Sequence, residues 1–486
     1  MKYKSTRSAE SYLSTGAVLK GLAGDGGLLV CLRSAFQGFP LEECLKKDTL
    51  AAADTILSFL LPDFQDMPGL VRAAYMGKFS SEELTPLVRV GDRYVLELFH
   101  GPTSAFKDVA LSMLPQLMTS AASTTGSSAK TVILTATSGD TGKAALEGFH
   151  DVPGTGIVVF YPADGVSAVQ KAQMVCQIGG NVKVCAVRGN FDDCQRGVKT
   201  AFRELNEAPV QGVSFSSANS INIGRLIPQI TYYFSAYRAL LREGRIAFGD
   251  KIDYVVPTGN FGDILAGLYA KFLGLPVGEL ICASNSNDVL FDFLQTGTYT
   301  RNRPFYRTVS PSMDILVSSN LERLLYYASG ENEEEVVRYM TGLECEGSYT
   351  VSGETLANIR EHICGERCSE EETLAEIGHV WQKYGYLCDT HTAVAFHAAE
   401  KIRSGRPVVV LSTASPFKFP KAVLTAIGGD VSGDDFALMK RLSEISGIPV
   451  PANLAGLEGA PVLHTDCIDP ENITEYVRRW AEGGKE

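Results

Sequence analysis

Lys107 stands next to last in the run His100-Gly101-Pro102-Thr103-Ser104-Ala105-Phe106-Lys107-Asp108. Gly-Pro makes a turn, and the lysine then falls within the first turns of a helix, where its charge opposes the helix dipole. With burial beside Phe106, that placement would lower the ammonium pKa and supply the neutral amine that Schiff-base chemistry needs. The plainer reading is a solvated surface lysine with an ordinary pKa.

Three further segments carry polar groups suited to anions. Thr137-Ser138-Gly139-Asp140-Thr141-Gly142 leads into a helix from Lys143, and its hydroxyls, glycines and free helix-start amides form a cradle for a carboxylate or phosphate. It is not a Walker loop, because only two residues separate Gly139 from Gly142 where that motif needs four. Ser217-Ala218-Asn219-Ser220-Ile221-Asn222-Ile223-Gly224-Arg225 adds one guanidinium. Arg225 either grips a phosphate through paired hydrogen bonds or is an ordinary helix-start arginine paired to a carboxylate. In Thr258-Gly259-Asn260-Phe261-Gly262-Asp263, two glycines at a strand-to-helix turn let backbone amides close on an anion. Each turn alone is weak evidence, but together they are harder to dismiss.

The elements that must position these loops are short apolar runs alternating with amphipathic stretches, the pattern of an α/β protein. Expected strands are 94–99, 131–135, 157–161, 182–187, 254–256, 280–283 and 408–412. Several are apolar at nearly every position, as parallel strands covered on both faces are. Ligands then belong at the carboxyl ends of the strands, where these loops lie. The acidic runs Glu331-Asn332-Glu333-Glu334-Glu335 and Ser369-Glu370-Glu371-Glu372 read as solvated helix starts, the second with a capping-box pattern. His362, Cys364 and Cys368 fall short of the four ligands of a closed zinc site and read as a helix end with incidental thiols, so no metal is expected.

Composition narrows the function. The chain has 486 residues, a formal net charge of −12 and 45% hydrophobic residues, enough for two or three packed units with a site between them. A net negative surface disfavours nonspecific attraction to nucleic acid or anionic membrane, so an anionic substrate requires a local cationic pocket. No apolar run approaches the roughly 20 residues of a membrane span, and the N-terminus lacks the apolar core of a secretory signal. Eleven scattered cysteines suggest reduced thiols and a cytoplasmic setting.

Taken together, the four loops, Met1-Lys2-Tyr3-Lys4-Ser5-Thr6-Arg7, Asp25-Gly26-Gly27-Leu28 and Ser412-Thr413-Ala414-Ser415-Pro416-Phe417-Lys418-Phe419 resemble the threonine synthases. These are pyridoxal phosphate enzymes of fold-type II, here of the branch with an extended N-terminal region found in fungi and many bacteria. The resemblance implies a tryptophan synthase β-like α/β fold: two open parallel or mixed sheets flanked by helices, plus an N-terminal unit. It implies that residues 1–92 pack on the core, 93–240 form a smaller domain with Lys107 and the substrate-anion loops, and 241–486 form a larger domain with the cofactor-phosphate loop.

In this family's pattern Lys107 is the Schiff-base lysine and mover of protons, and Gly259, Asn260, Phe261, Gly262 and Asp263 match the cofactor-phosphate loop. Thr413 matches the hydroxyl at the pyridine nitrogen. The family usually has His before Pro in that segment and this chain has Ser415, which leaves open which of the two makes the contact. Thr137, Ser138, Gly139, Asp140 and Thr141 match the substrate-carboxylate loop, and Ser220, Asn222 and Arg225 the substrate-phosphate contacts. His100 and Phe106 are expected on the pocket wall, and no histidine needs a catalytic role.

The implied reaction turns O-phospho-L-homoserine and water into L-threonine and phosphate by β,γ-elimination and replacement, in a monomer or, alternatively, a homodimer. Rival expectations are a fold-type II phospho-lyase or dehydratase releasing 2-oxobutyrate, and a catalytically silent paralogue. Ser104 to Lys107 also fits the Ser-x-x-Lys pattern of penicillin-recognising acyl enzymes, but the Ser-Asp-Asn and Lys-Thr-Gly motifs that accompany it are absent.

Overall fold

Strands that are apolar at every position need cover on both faces, and this governs the architecture of the chain, described here from a computed structural model. The structure describes residues 1–126, 129–137, 139–163 and 166–483. Two open sheets dominate. One has six strands in the order Ile363–Arg367, Val277–Ser284, Ile252–Pro257, Val408–Ser412, Arg93–Glu97 and Leu87–Val90. All its pairings are parallel except the last, a hairpin between Leu87–Val90 and Arg93–Glu97. The other is wholly parallel, in the order Cys467–Ile468, Val182–Val187, Thr155–Pro162, Lys130–Ala136 and Val213–Ser217. Ile252–Pro257 and Thr155–Pro162 are buried along their whole length, as central strands between helix layers must be.

Each expected strand forms within one of these sheets. The sheets cross the expected unit boundaries, however. Leu87–Val90, expected in the N-terminal unit, and Arg93–Glu97, expected with the smaller domain, both belong to the six-stranded sheet. The C-terminal Cys467–Ile468 joins the five-stranded sheet beside Val182–Val187, and the helix Ile473–Ala481 packs on Phe191–Glu207. The segment read as a helix end around Cys364 is instead the edge strand Ile363–Arg367, which follows the helix Gly353–Arg360. The acidic runs do start helices: Asn332 caps Glu333–Cys345, and Ser369 with Glu372 forms a capping box on Glu370–Tyr384.

The N-terminal residues form a three-stranded antiparallel sheet, Ser11–Leu13, Lys2–Ser5 and Leu29–Val30. It is fastened to the helix Leu321–Ala328 by buried and half-buried polar bonds. Arg7 grips the Glu322 carboxylate with Nε and Nη2, both at 2.8 Å. Arg323 Nε donates to the Leu29 carbonyl at 3.0 Å, and the Tyr327 hydroxyl to that of Cys31 at 2.7 Å. Such two-pronged carboxylate contacts fix orientation as well as contact, so this unit becomes one wall of the cleft between the sheets. No helix among the described residues is long and apolar enough to cross a membrane.

Candidate active site

The carboxyl ends of both sheets open onto one cleft, a cavity of about 950 Å³. Its lining holds Lys107, Lys199, Arg225, Arg301 and Arg307 beside Asp263, Asp314 and Glu344, with Arg7 paired to Glu322, so cations outnumber carboxylates as an anionic substrate of a net negative chain requires.

Lys107 is the first residue of the helix Lys107–Thr124. The preceding turn is stitched to the large sheet: Phe106 N–H donates to the Thr413 carbonyl at 2.9 Å and Ser415 N–H to the Ser104 carbonyl at 3.1 Å. The Lys107 ammonium lies 5.2 Å from the centre of the Phe106 ring. The cleft leaves part of the side chain accessible, but protein surrounds it, and burial pushes its pKa down to about 8. Asp140 and Asp108 pull it upward, while Lys418 and Arg225 push it further down. The Asp108 carboxylate turns back to accept from the Thr103 amide at 2.9 Å and from its hydroxyl at 2.5 Å. Burial nevertheless raises Asp108 to about 6.

The loop at 258–263 joins the strand Ile252–Pro257 to the helix Gly262–Phe272. Its carbonyls are drawn outward: Ser318 Oγ donates to Gly259 O at 2.7 Å, and the Asn320 amide groups donate to Asn260 O. The amides of Gly259 through Gly262 have no acceptor among the described residues and sit at a helix N-terminus, an arrangement that receives an anion. A Cβ on Gly259 would lie 2.8 Å from the Ser312 carbonyl, so only glycine lets the loop close this tightly. Phe261 adopts a left-handed φ of 63° to make the turn. Asp263 lines the cleft, yet its Oδ1 accepts from Tyr232 and Tyr233 at 2.5 and 2.9 Å, so it anchors the helix start. Burial raises its pKa to about 6.

Arg225 is 3% exposed, donates to the Ala218 carbonyl, and keeps a buried Nε without a partner. No carboxylate pairs with it among the described residues, and burial lowers its pKa to about 10, which leaves it charged at neutral pH. An unpaired guanidinium N–H in a cleft is a strong anion ligand. Ser220 lines the same cleft. Asn222, expected beside them, does not: it caps the helix Ile223–Leu226 through Gly224 N–H and donates to the Val18 carbonyl, each at 2.9 Å. Both ends of its amide are therefore used, one in capping its own helix and the other in tying the loop to the N-terminal unit.

Thr137 and Thr141 line the cleft. The Thr137 hydroxyl also shapes its own loop, accepting from Gly139 and Gly142 N–H at 2.9 Å each. Gly139 takes a φ of 142° with Gln170 packed where a side chain would stand. Ser138 lies outside the described residues. Asp140 does not line the cleft. It is buried beneath it, ion-paired to Lys418 at 2.7 Å. Burial works against its ionisation, but Lys418 and then Lys107 hold it well below the usual carboxylate range.

Thr413 lines the cleft and Ser415 does not, although both are buried. His100 is away from the pocket wall expected for it: it pairs with Glu97 at 2.8 Å and stacks on Phe99. His391 does line the cleft, its Nδ1 on Asp389 at 2.8 Å and its Nε2 accepting from Ser312 N–H at 3.2 Å. That arrangement places the proton on Nδ1. His362, Cys364 and Cys368 do not converge. Cys368 instead lies near Glu372 and His397, with ligand atoms within 4.8 Å of one another, and none of these three lines the cleft. Neither Lys418 nor His391 is singled out by the sequence alone. Lys418 carried one usable signal, a lone cation between Phe417 and Phe419 just beyond a buried strand.

A pyridoxal phosphate group fits these residues: an open amide cradle for its phosphate, a lysine with a depressed pKa, and a cleft-facing hydroxyl at Thr413. The pyridoxal-phosphate dependent enzyme family model matches residues 80–414, and the threonine synthase C-terminal model matches 392–475. Threonine synthase of Pseudomonas aeruginosa is 38% identical over 433 residues, 87% of this chain and 90% of that protein. Threonine synthase-like 1 of Homo sapiens is 38% identical over 85% of this chain, but the match spans only 57% of that longer relative. The crystal structure of PLP-bound threonine synthase from Brucella melitensis matches with a TM-score of 0.87 at 37% identity, covering 100% of this chain and 99% of that one. With its fold-type II architecture and these matches, the chain belongs to the pyridoxal-phosphate dependent enzymes, in the threonine synthase family.

Proposed function

We propose that the chain converts O-phospho-L-homoserine and water into L-threonine and phosphate. The observation that carries this reading is the presence of two separate anion sites beside one depressed lysine: the amides of Gly259 to Gly262, and the unpaired guanidinium of Arg225 with Ser220. One cofactor phosphate and one substrate phosphate need such a pair, whereas an unphosphorylated substrate would leave Arg225 buried without a counter-ion.

Gly259, Asn260, Phe261 and Gly262 would hold the cofactor phosphate, with Asp263 anchoring the loop, and Thr413 would face the pyridine nitrogen. When bound, pyridoxal phosphate supplies an electron sink for negative charge at the substrate Cα. Lys107 Nζ is the base that takes the Cα proton and serves the later proton transfers at Cβ and Cγ. Its lowered pKa puts a useful fraction in the neutral form near pH 7, where general-base efficiency is highest. Arg225 and Ser220 orient the substrate phosphate as the leaving group, and Thr137 and Thr141 face the substrate carboxylate. All these groups come from one chain, and we place the reaction in the cytoplasm.

Purified, cofactor-loaded protein given O-phospho-L-homoserine should form mainly L-threonine. Predominant 2-oxobutyrate would overturn the assignment in favour of a phospho-lyase, and no turnover would favour a silent paralogue.

A further inference from the structure

Lys418 and Asp140 form an ion pair, Nζ to Oδ1 at 2.7 Å, with side chains 0% and 3% exposed. The pair bridges the two sheets. Asp140 opens the helix Asp140–Phe149 after the strand Lys130–Ala136, and Lys418 ends the short helix Pro416–Lys418 after the strand Val408–Ser412. Lys418 also donates to the Thr103 carbonyl at 3.1 Å, in the turn that carries Lys107. Gln170 Nε2 donates to Asp140 Oδ1 at 2.9 Å, so the carboxylate is fixed from a second side.

Burying two charges costs several kcal/mol per ion before their attraction is counted, so a pair this deep, one member of which holds the turn that carries Lys107, calls for a use. Four charged groups bear on Lys107: Asp140 from the anion loop, Lys418 from the far sheet, Arg225 from the phosphate loop, and Asp108 from its own helix. Asp108 is occupied by Thr103. Asp140 is therefore the carboxylate best placed to capture the Lys107 ammonium, and Lys418 is the cation that already occupies it.

We propose that Lys418 is a positioning residue for Lys107, taking Asp140 as its own counter-ion so that Asp140 does not hold Lys107 in its charged, unreactive form. The inference rests on the reading of Lys107 as the reacting amine. It gives the buried lysine a role in the charge state of its neighbour without contact with the substrate.

The test is the pH profile of Lys107 acylation by trace acetic anhydride in the full-length, cofactor-free chain, followed by mass spectrometry. The rate of cofactor attachment, read by visible absorbance, is measured beside it. The unsubstituted chain should give a midpoint of about 8. Lys418→Met should raise the midpoint by about one unit or more, cutting the neutral amine at pH 7 about tenfold, with attachment slowed in proportion. Lys418→Arg should keep it near its original position. Asp140→Asn should lower it, and Asp140→Asn combined with Lys418→Met should bring it back. An unmoved midpoint in folded Lys418→Met protein, judged by circular dichroism, overturns the proposal. Should that variant not fold, Asp140→Asn decides: a midpoint unchanged or raised also overturns it. The reading of the cofactor stands or falls separately, on whether the unsubstituted chain carries a pyridoxyl group at Lys107.

Discussion

The backbone amide of Phe106 donates to the carbonyl of Thr413 at 2.9 Å. This bond ties the turn before Lys107 to the end of a central strand, and it leaves the Thr413 side chain free to face the cleft. Thr413→Val keeps the backbone bond and removes the hydroxyl. We expect the variant to load cofactor on Lys107 but to lose about tenfold in kcat, the worth of roughly one hydrogen bond, with a shifted visible absorbance. Ser415→Ala, whose hydroxyl is off the cleft, should change kcat less than twofold, so steady-state kinetics of the two variants separates the candidates.

Arg225 and Asn222 stand three residues apart and should fail differently. Arg225→Gln removes a charged phosphate ligand worth about 1.5–3 kcal/mol, so kcat/KM for O-phospho-L-homoserine should fall about 10- to 100-fold while the cofactor absorbance stays. Asn222→Ala strands the Val18 carbonyl and Gly224 amide and should lower unfolding free energy by about 1–3 kcal/mol, with KM nearly unchanged. A large KM effect from Asn222→Ala would return it to the substrate site.

The range of an interaction decides whether the sequence reveals it. The central strands declare themselves by runs such as Val408-Val409-Val410-Leu411, and the anion loops follow because they lie at the carboxyl ends of those strands. Ile363–Arg367 does not: it is short, interrupted by Gly365, and alternates between buried and accessible positions. Cys467–Ile468 is two residues long and exists because Val182–Val187 offers an edge. The Asp140–Lys418 pair and the Asn222–Val18 bond join residues distant in sequence, and no local pattern encodes such partners. In the sequence an amide beside an arginine, such as Asn222, looks the same whether it binds a ligand or caps a helix.

Asp263 predicts a pH-dependent stability. Its folded carboxyl titrates at about 6, above the ordinary value near 4, so between these values the folded chain binds more protons than the unfolded one. Its contribution to stability is full below about pH 4 and is lost as the pH rises through about 6. Asp263→Asn retains an acceptor for Tyr232 and Tyr233 without the buried charge. In cofactor-free protein it should gain about 1–3 kcal/mol relative to the unsubstituted chain at pH 7.5 compared with pH 4. Denaturant unfolding at the two pH values checks this, and equal differences would contradict it.

Gly259→Ala places a methyl group 2.8 Å from the Ser312 carbonyl, so the loop must open. The amide cradle then loses its geometry, and cofactor affinity should fall at least about tenfold, equivalent to roughly 1.4 kcal/mol. Titration of cofactor-free protein with pyridoxal phosphate, read by absorbance, gives the value.

The most direct measurement is borohydride reduction of the cofactor-loaded chain followed by peptide mass spectrometry. A single pyridoxyl addition on Lys107 is expected, abolished in Lys107→Ala together with the visible absorbance. A chain that takes up no pyridoxyl group, or one that carries it on Lys418 instead, would contradict it.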